Sequence, residues 1–169
     1  RSAMIARQLA AAGLILAATA ASAAGAEKPV FHWDRYFAQD EVDAALAQLH
    51  AAHPQLTELA SLGRSAEGRD IWCLTICNPR TGDAAGKPAI YVDGAIHGNE
   101  IQATEVCLYT AWLLLDRYGE WDRITELVDR AVFYVVPTVN VDRRARFFID
   151  PGSVQIGRTA RVPDDDDYD

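Results

Sequence analysis

The chain has 169 residues, half of them hydrophobic, and a formal net charge of −8 at pH 7. This length and composition are sufficient for one domain with a sizeable core. The acidic balance and the lack of a basic cluster argue against nucleic acid as a partner.

Residues 1–26 have the order of a secretory signal peptide. Arg7 precedes an Ala- and Leu-rich run over residues 9–20, and small residues in Ala-x-Ala patterns follow it. The alternative is a transmembrane anchor, but that needs about 20 strongly apolar residues, and this run is shorter and poor in Leu, Ile and Phe. We expect a secreted or periplasmic protein with no stable membrane insertion after cleavage.

The residues that follow predict a helix and a β-hairpin. Asp40 suits the N-cap of a helix, and Pro54 ends the helical pattern. Apolar runs bounded by turn residues predict strands over Leu56–Leu62 and Ile71–Cys77. The Gly-containing loop between these two strands predicts that they form a hairpin.

The second half of the chain predicts a strand–helix–strand unit. Short apolar runs predict buried strands over residues 89–93 and 131–137. Between them, residues 101–118 predict a helix buried on several sides, and residues 122–127 a shorter one. The predicted fold class is α/β, a mixed sheet with flanking helices in which these two strands pair in parallel.

The three cysteines, Cys73, Cys77 and Cys107, are expected to be buried thiols, since free cysteine packs as a small hydrophobe. Cys73 and Cys77 lie about 13 Å apart along one strand, which is too far for a disulfide. One bridge from Cys107 to either strand cysteine stays open, because pairing cannot be deduced from sequence.

A His and a Glu follow the strand at residues 89–93, in the order Gly-Ala-Ile-His97-Gly98-Asn-Glu100. In open α/β sheets, ligands bind beyond the carboxyl ends of the strands, which is where this pair lies. Imidazole and carboxylate are ordinary zinc ligands, and an i, i+3 spacing at a helix start lets both converge on one point. His97 and Glu100 are therefore candidate metal ligands, and Gly98 keeps bulk away from them.

Three segments together resemble the zinc carboxypeptidase family. The stretch from Gly94 to Glu100 resembles its first zinc motif, and residues 65–71 (SAEGRDI) are similar to its S-x-E-G-R-x-I turn. Residues 136–142 (VPTVNVD) resemble its P-x-x-N-P-D-G segment, with Val141 and Arg143 in place of the usual Pro and Gly. The resemblance covers about residues 59–161 and implies a zinc-carboxypeptidase-like fold.

The resemblance also implies roles for individual residues. His97 and Glu100 would bind Zn²⁺, and Asn99 stands where some relatives carry a substrate-contacting Arg. Arg158 would stabilise the oxyanion formed during attack on the peptide carbonyl, with Arg161 and a plain surface role as alternatives. Asn140 and Asp142 would form a structural turn beside the site and would not bind the metal.

Part of the family's site has no counterpart in this sequence. No His follows His97, so the third zinc ligand and the later general-base Glu cannot be assigned. Residues 27–169 are accordingly expected to be the N-terminal part of a catalytic domain whose C-terminal part is missing, and the fragment alone to be inactive. The acidic end, with Asp165, Asp167 and Asp169, predicts either the start of a Ca²⁺ loop or a solvated tail.

The expected function is a zinc-dependent metallocarboxypeptidase that hydrolyses C-terminal residues of a peptide or protein substrate. One alternative is a zinc amidohydrolase of the desuccinylase or aspartoacylase type, whose first motif also resembles residues 97–100 (HGNE). The other is a non-catalytic peptide-binding module on the same fold. A downstream His and Glu would favour the enzyme.

Overall fold

The fold was obtained as a computed structural model, and it describes residues 28–153. Four strands and four α-helices follow one another along this part of the chain, with short 3₁₀ turns between some of them. In chain order they are α1 (Gln39–Ala52), β1 (Thr57–Arg64), β2 (Asp70–Ile76), β3 (Ala89–Asp93), α2 (Ile101–Asp116), α3 (Asp122–Arg130), β4 (Val132–Val136) and α4 (Val141–Phe147).

The strands form one mixed sheet in the order β1-β2-β4-β3. The β1–β2 hairpin is antiparallel, β2 pairs antiparallel with β4, and β3 pairs in parallel with β4. The predicted mixed sheet and its parallel pair are therefore confirmed. Because β3 and β4 run in the same direction, their carboxyl ends meet at one rim of the sheet, and the segments that follow them can contact each other.

The main core lies between one sheet face and the helices α1, α2 and α3. Leu74, Phe133 and Val135 come from the sheet, and Leu49 and Leu108 come from α1 and α2. The three cysteines are free, buried thiols, as predicted. Within residues 28–153, no helix combines the length and apolar character needed to cross a membrane.

The start of the first helix differs from the prediction. Asp40 is not its N-cap, since α1 begins at Gln39 with Ala38 in the N-cap position. The Glu41 carboxylate, three residues after the N-cap, accepts a hydrogen bond from the Ala38 N–H at 2.7 Å, as the glutamate of a capping box does. A guanidinium from Arg35 hydrogen-bonds the same carboxylate and helps to hold the pKa of Glu41 at about 2.

The burial predicted for β3 and α2 is also wrong in part. The strand β3 lies at the edge of the sheet, and Tyr91 is 60% exposed. The helix α2 buries one face against the sheet, but Val106 is 62% exposed on another. Both elements are as apolar as predicted; what differs is that no described element covers these outer faces. The shorter helix α3 extends three residues beyond the predicted end, to Arg130.

Candidate metal centre

The candidate ligands lie on the loop between β3 and α2, residues 94–100, which we call the metal loop. Backbone hydrogen bonds attach it to the segment that follows β4: the Val139 N–H donates to Gly94 O at 2.9 Å, and the Asn140 N–H donates to Ala95 O at 3.0 Å. The loop is therefore fixed at the rim where the two parallel strands end, as the sequence predicted.

His97 and Glu100 contact each other directly. The His97 Nδ1 and Glu100 Oε1 atoms are 3.1 Å apart, and Glu100 Oε2 accepts a hydrogen bond from the His97 N–H at 3.2 Å. These two hydrogen bonds lower the pKa of Glu100, and the bond from the His97 side chain has the larger effect. The carboxylate is therefore held in its ionised form, which is the form that binds a metal ion.

This pair fits a zinc ion. Two ligands bound at about 2.0–2.1 Å with tetrahedral angles lie roughly 3.3 Å from each other, close to the observed 3.1 Å. Both side chains are partly exposed, so the space beside them is accessible from solvent. Within the described part of the chain, no three His, Cys, Asp or Glu side chains come together as a metal-ligand set. The described residues therefore offer two candidate ligands, His97 and Glu100.

Two glycines let other backbone segments approach the metal loop. A Cβ built on Gly94 would lie 2.8 Å from Ala103 O and 2.8 Å from Pro137 O. A Cβ built on Gly98 would lie 2.2 Å from the Cβ of Arg143. Gly98 was predicted to leave room at the metal position; the structure shows that it leaves room for the start of α4.

The turn after β1 is held to α4 by a buried carboxylate. Asp142, 3% exposed, accepts hydrogen bonds from Ser65 Oγ at 2.7 Å, from the Glu67 N–H at 3.1 Å and from Arg69 Nη1 at 2.7 Å. Burial works to raise the pKa of Asp142, but these hydrogen bonds outweigh it, so the pKa is lowered. The two outer motifs of the family pattern are thus in direct contact, and Asp142 has the structural role expected for it.

The other predicted site residues have different positions. Asn140 caps α4 by accepting a hydrogen bond from the Arg143 N–H at 3.3 Å, consistent with a structural turn. Asn99 lies on the metal loop with an exposed side chain. Arg158 and its competitor Arg161 lie outside the described residues, as does the acidic run predicted to bind Ca²⁺. Those roles stay predictions.

Sequence reasoning missed one buried ion pair next to the site. Arg144 is fully buried, and its Nη2 atom lies 3.1 Å from Oε1 of Glu105 on α2. Nothing in the sequence separates Arg144 from the exposed Arg146 two residues later, since arginine is usually on the surface.

The zinc carboxypeptidase family model matches residues 42–148. Human carboxypeptidase D is 34% identical over 125 residues, which are 74% of this chain and 9% of that protein. Carboxypeptidase B of Astacus astacus is 33% identical over 118 residues, 70% of this chain and 37% of that protein. The chain belongs to the zinc carboxypeptidase family.

Solved structures agree with this assignment. The carboxypeptidase A of Helicoverpa armigera superposes with a TM-score of 0.63 at 25% identity, over 74% of this chain and 29% of that one. Thrombin activatable fibrinolysis inhibitor superposes with a TM-score of 0.65 at 22% identity, over 79% of this chain and 32% of that one. At this identity the match shows the fold alone. The chain spans less than two fifths of the length of these relatives.

Proposed function

We propose that this chain is the N-terminal part of the catalytic domain of a zinc-dependent carboxypeptidase, which hydrolyses C-terminal residues of peptide or protein substrates. The observation that carries the proposal is the 3.1 Å contact between His97 Nδ1 and Glu100 Oε1 at the rim of a carboxypeptidase-like sheet. Both side chains would hold Zn²⁺, with a third ligand from outside the described residues.

Four residues of this chain have proposed roles in the reaction. Zinc bound at this site supplies a Lewis acid that polarises a peptide carbonyl and lowers the pKa of water. His97 and Glu100 would hold that ion through an imidazole nitrogen and a carboxylate oxygen. Asn99, which is exposed on the same loop, would contact the substrate, and Arg158 would complement the negative charge that develops on the carbonyl oxygen.

The decisive experiment combines metal analysis with a peptide-release assay on the protein as its host makes it. His97→Ala should lose stoichiometric zinc and the release of C-terminal residues. Glu67→Ala is the matched control, because Glu67 pairs with Arg69 and Arg146 and lies outside the metal pair. Full zinc occupancy in His97→Ala would show that the site is misplaced. Zinc and peptide binding without hydrolysis would favour the non-catalytic binding module.

Export is part of the proposal. The Arg7-led apolar order of residues 1–26 supports a secreted or periplasmic location. N-terminal sequencing of the mature protein from its host should give a start near Glu27. A soluble mature product that still carries Met4 would rule out cleavage at this signal.

A further inference from the structure

Arg144 is the largest fully buried side chain of the described residues, and its guanidinium reaches several structural elements. Nη2 donates to Phe37 O at 2.8 Å and lies 3.1 Å from Glu105 Oε1, and Nη1 lies 3.5 Å from Gln39 Oε1. The carbon at the centre of the guanidinium lies 5.0 Å from the ring centre of Phe148. Arg144 thus joins α4 to the start of α1 and to α2.

In this charge pair the Arg144 side chain is fully buried and the Glu105 side chain is 14% exposed. Burial lowers the pKa of Arg144 and raises the pKa of Glu105, whose Oε1 atom also accepts the Phe37 N–H at 2.9 Å. Removing one partner of such a pair leaves the other charge buried without compensation. The relative position of α4 and α2 therefore depends on this contact.

The backbone of the same residue supports the metal loop. A Cβ on Gly98 would lie 2.8 Å from the Arg144 nitrogen and 2.5 Å from the carbonyl carbon of Arg143. Gly98 stands directly after His97, so the part of the loop that carries the imidazole rests on the first turn of α4. A movement of α4 would be passed to His97 through this close contact.

Glu105 provides the connection to the other ligand. It lies on α2, whose N-cap is Glu100, so the backbones of the two residues are about 1.4 helical turns, or about 7.5 Å, apart along the helix axis. We infer that Arg144 is a positioning residue for the metal centre: it fixes α4, and with it His97, relative to α2, and with it Glu100. This inference rests on the proposed function, since it assigns Arg144 a role toward the same metal.

The test separates positioning from plain stability by measuring zinc affinity on folded protein. Arg144→Met, Arg144→Lys and Glu105→Gln are compared with the wild type, and Arg146→Met is the matched control. Arg146 is also on α4 but is exposed and pairs with Glu67 instead of Glu105. Zinc dissociation constants come from competition with a chromophoric chelator, and the visible spectrum of the Co²⁺ form reports ligand geometry. Thermal unfolding shows which variants are folded at the assay temperature.

Arg144→Met should weaken zinc binding by about 10- to 100-fold, the range for residues that orient metal ligands, and should change the Co²⁺ spectrum. Arg144→Lys should recover part of the affinity, because one ammonium can satisfy Glu105 or Phe37 O but lacks the planar fork that reaches both. Arg146→Met should bind zinc as the wild type does.

A folded Arg144→Met protein with wild-type zinc affinity and Co²⁺ spectrum would overturn the inference. If Arg144→Met does not fold, Glu105→Gln decides, because it keeps the shape and removes the charge: unchanged zinc affinity there would also overturn it. Equal zinc binding by the wild type and His97→Ala is a different result, since it removes the proposed metal site itself and the positioning role with it.

Discussion

Gly98→Ala should be the most damaging small substitution in the metal loop, for a reason of space alone. The new Cβ would lie 2.2 Å from the Arg143 Cβ and 2.5 Å from its carbonyl carbon, whereas carbon atoms prefer separations of about 3.5–4.0 Å. Two of the three nearest atoms belong to the α4 backbone, and no flexible side-chain end is among them. The loop or the helix must therefore move by about 1 Å or more.

The expected loss in the free energy of unfolding follows from this overlap. Inserting one carbon into a packed interior costs about 1–3 kcal/mol, and sometimes more when backbone must shift. We expect the upper end, about 3 kcal/mol, because α4 is held by the Asn140 cap and by the buried Arg144 pair. With an m-value of about 2 kcal/mol per molar urea, the midpoint of unfolding would fall by about 1.5 M.

The assay is urea unfolding followed by tryptophan fluorescence, with zinc content measured in parallel. Gly86→Ala is the matched control, since a Cβ there meets nothing within 4 Å and Gly86 has no left-handed backbone angle. The control should stay within about 0.5 kcal/mol of the wild type. If Gly98→Ala unfolded at the wild-type midpoint and kept its zinc, the close approach of α4 to the metal loop would be refuted.

Two further predictions concern titrating groups. The pKa of Asp142 is lowered in the fold, so its contribution to stability is present above the unfolded pKa of about 3.9 and is lost as pH falls through the native pKa. Asp142→Asn should therefore flatten the dependence of the urea midpoint on pH below about 4. An unchanged slope would contradict the hydrogen-bond network around Asp142. Burial raises the pKa of Cys107 to about 11, so iodoacetamide at pH 8 should label Cys107 only after denaturation. Mass spectrometry of the peptides measures this labelling. Rapid labelling of Cys107 in the native protein would contradict its burial.

The sequence predicted the elements of the sheet well because each strand is a short apolar run between turn residues. The strand at Ala89–Asp93 ends where Gly94 begins the loop, and β4 ends before Pro137. Two such runs separated by a long helical segment favour parallel pairing, which the structure confirms. Local signals of this kind need no knowledge of distant contacts.

Burial was harder to predict than strand or helix type. Tyr91 and Val106 belong to apolar runs, and an apolar run indicates a face that favours burial without naming the element that covers it. The order β1-β2-β4-β3 places β3 at an edge, and that order depends on contacts between distant segments. Sequence periodicity carries no information about them.

Contacts between residues close in sequence were predictable, and contacts between distant residues were missed. His97 and Glu100 are three residues apart, so their contact follows from the loop and the first helical turn. The contact of Arg144 with Glu105 spans 39 positions, and only such long-range contacts distinguish this arginine from its neighbours. The close approach of α4 to Gly98 could not be predicted for the same reason, since Arg143 is 45 positions away.

The short helix α4 contacts two of the three motifs, which explains why all three lie together at the candidate site. Asp142 on its first turn holds the Ser65–Arg69 turn, and Arg144, two residues later, holds α2. Between these two anchors, the backbone at residues 143–144 supports Gly98. Because both anchors are buried charges whose partners lie on different elements, α4 cannot move without breaking one of them. The position of the metal loop is therefore set by contacts with α4, whereas the candidate ligands His97 and Glu100 contact each other at the partly exposed side of the loop.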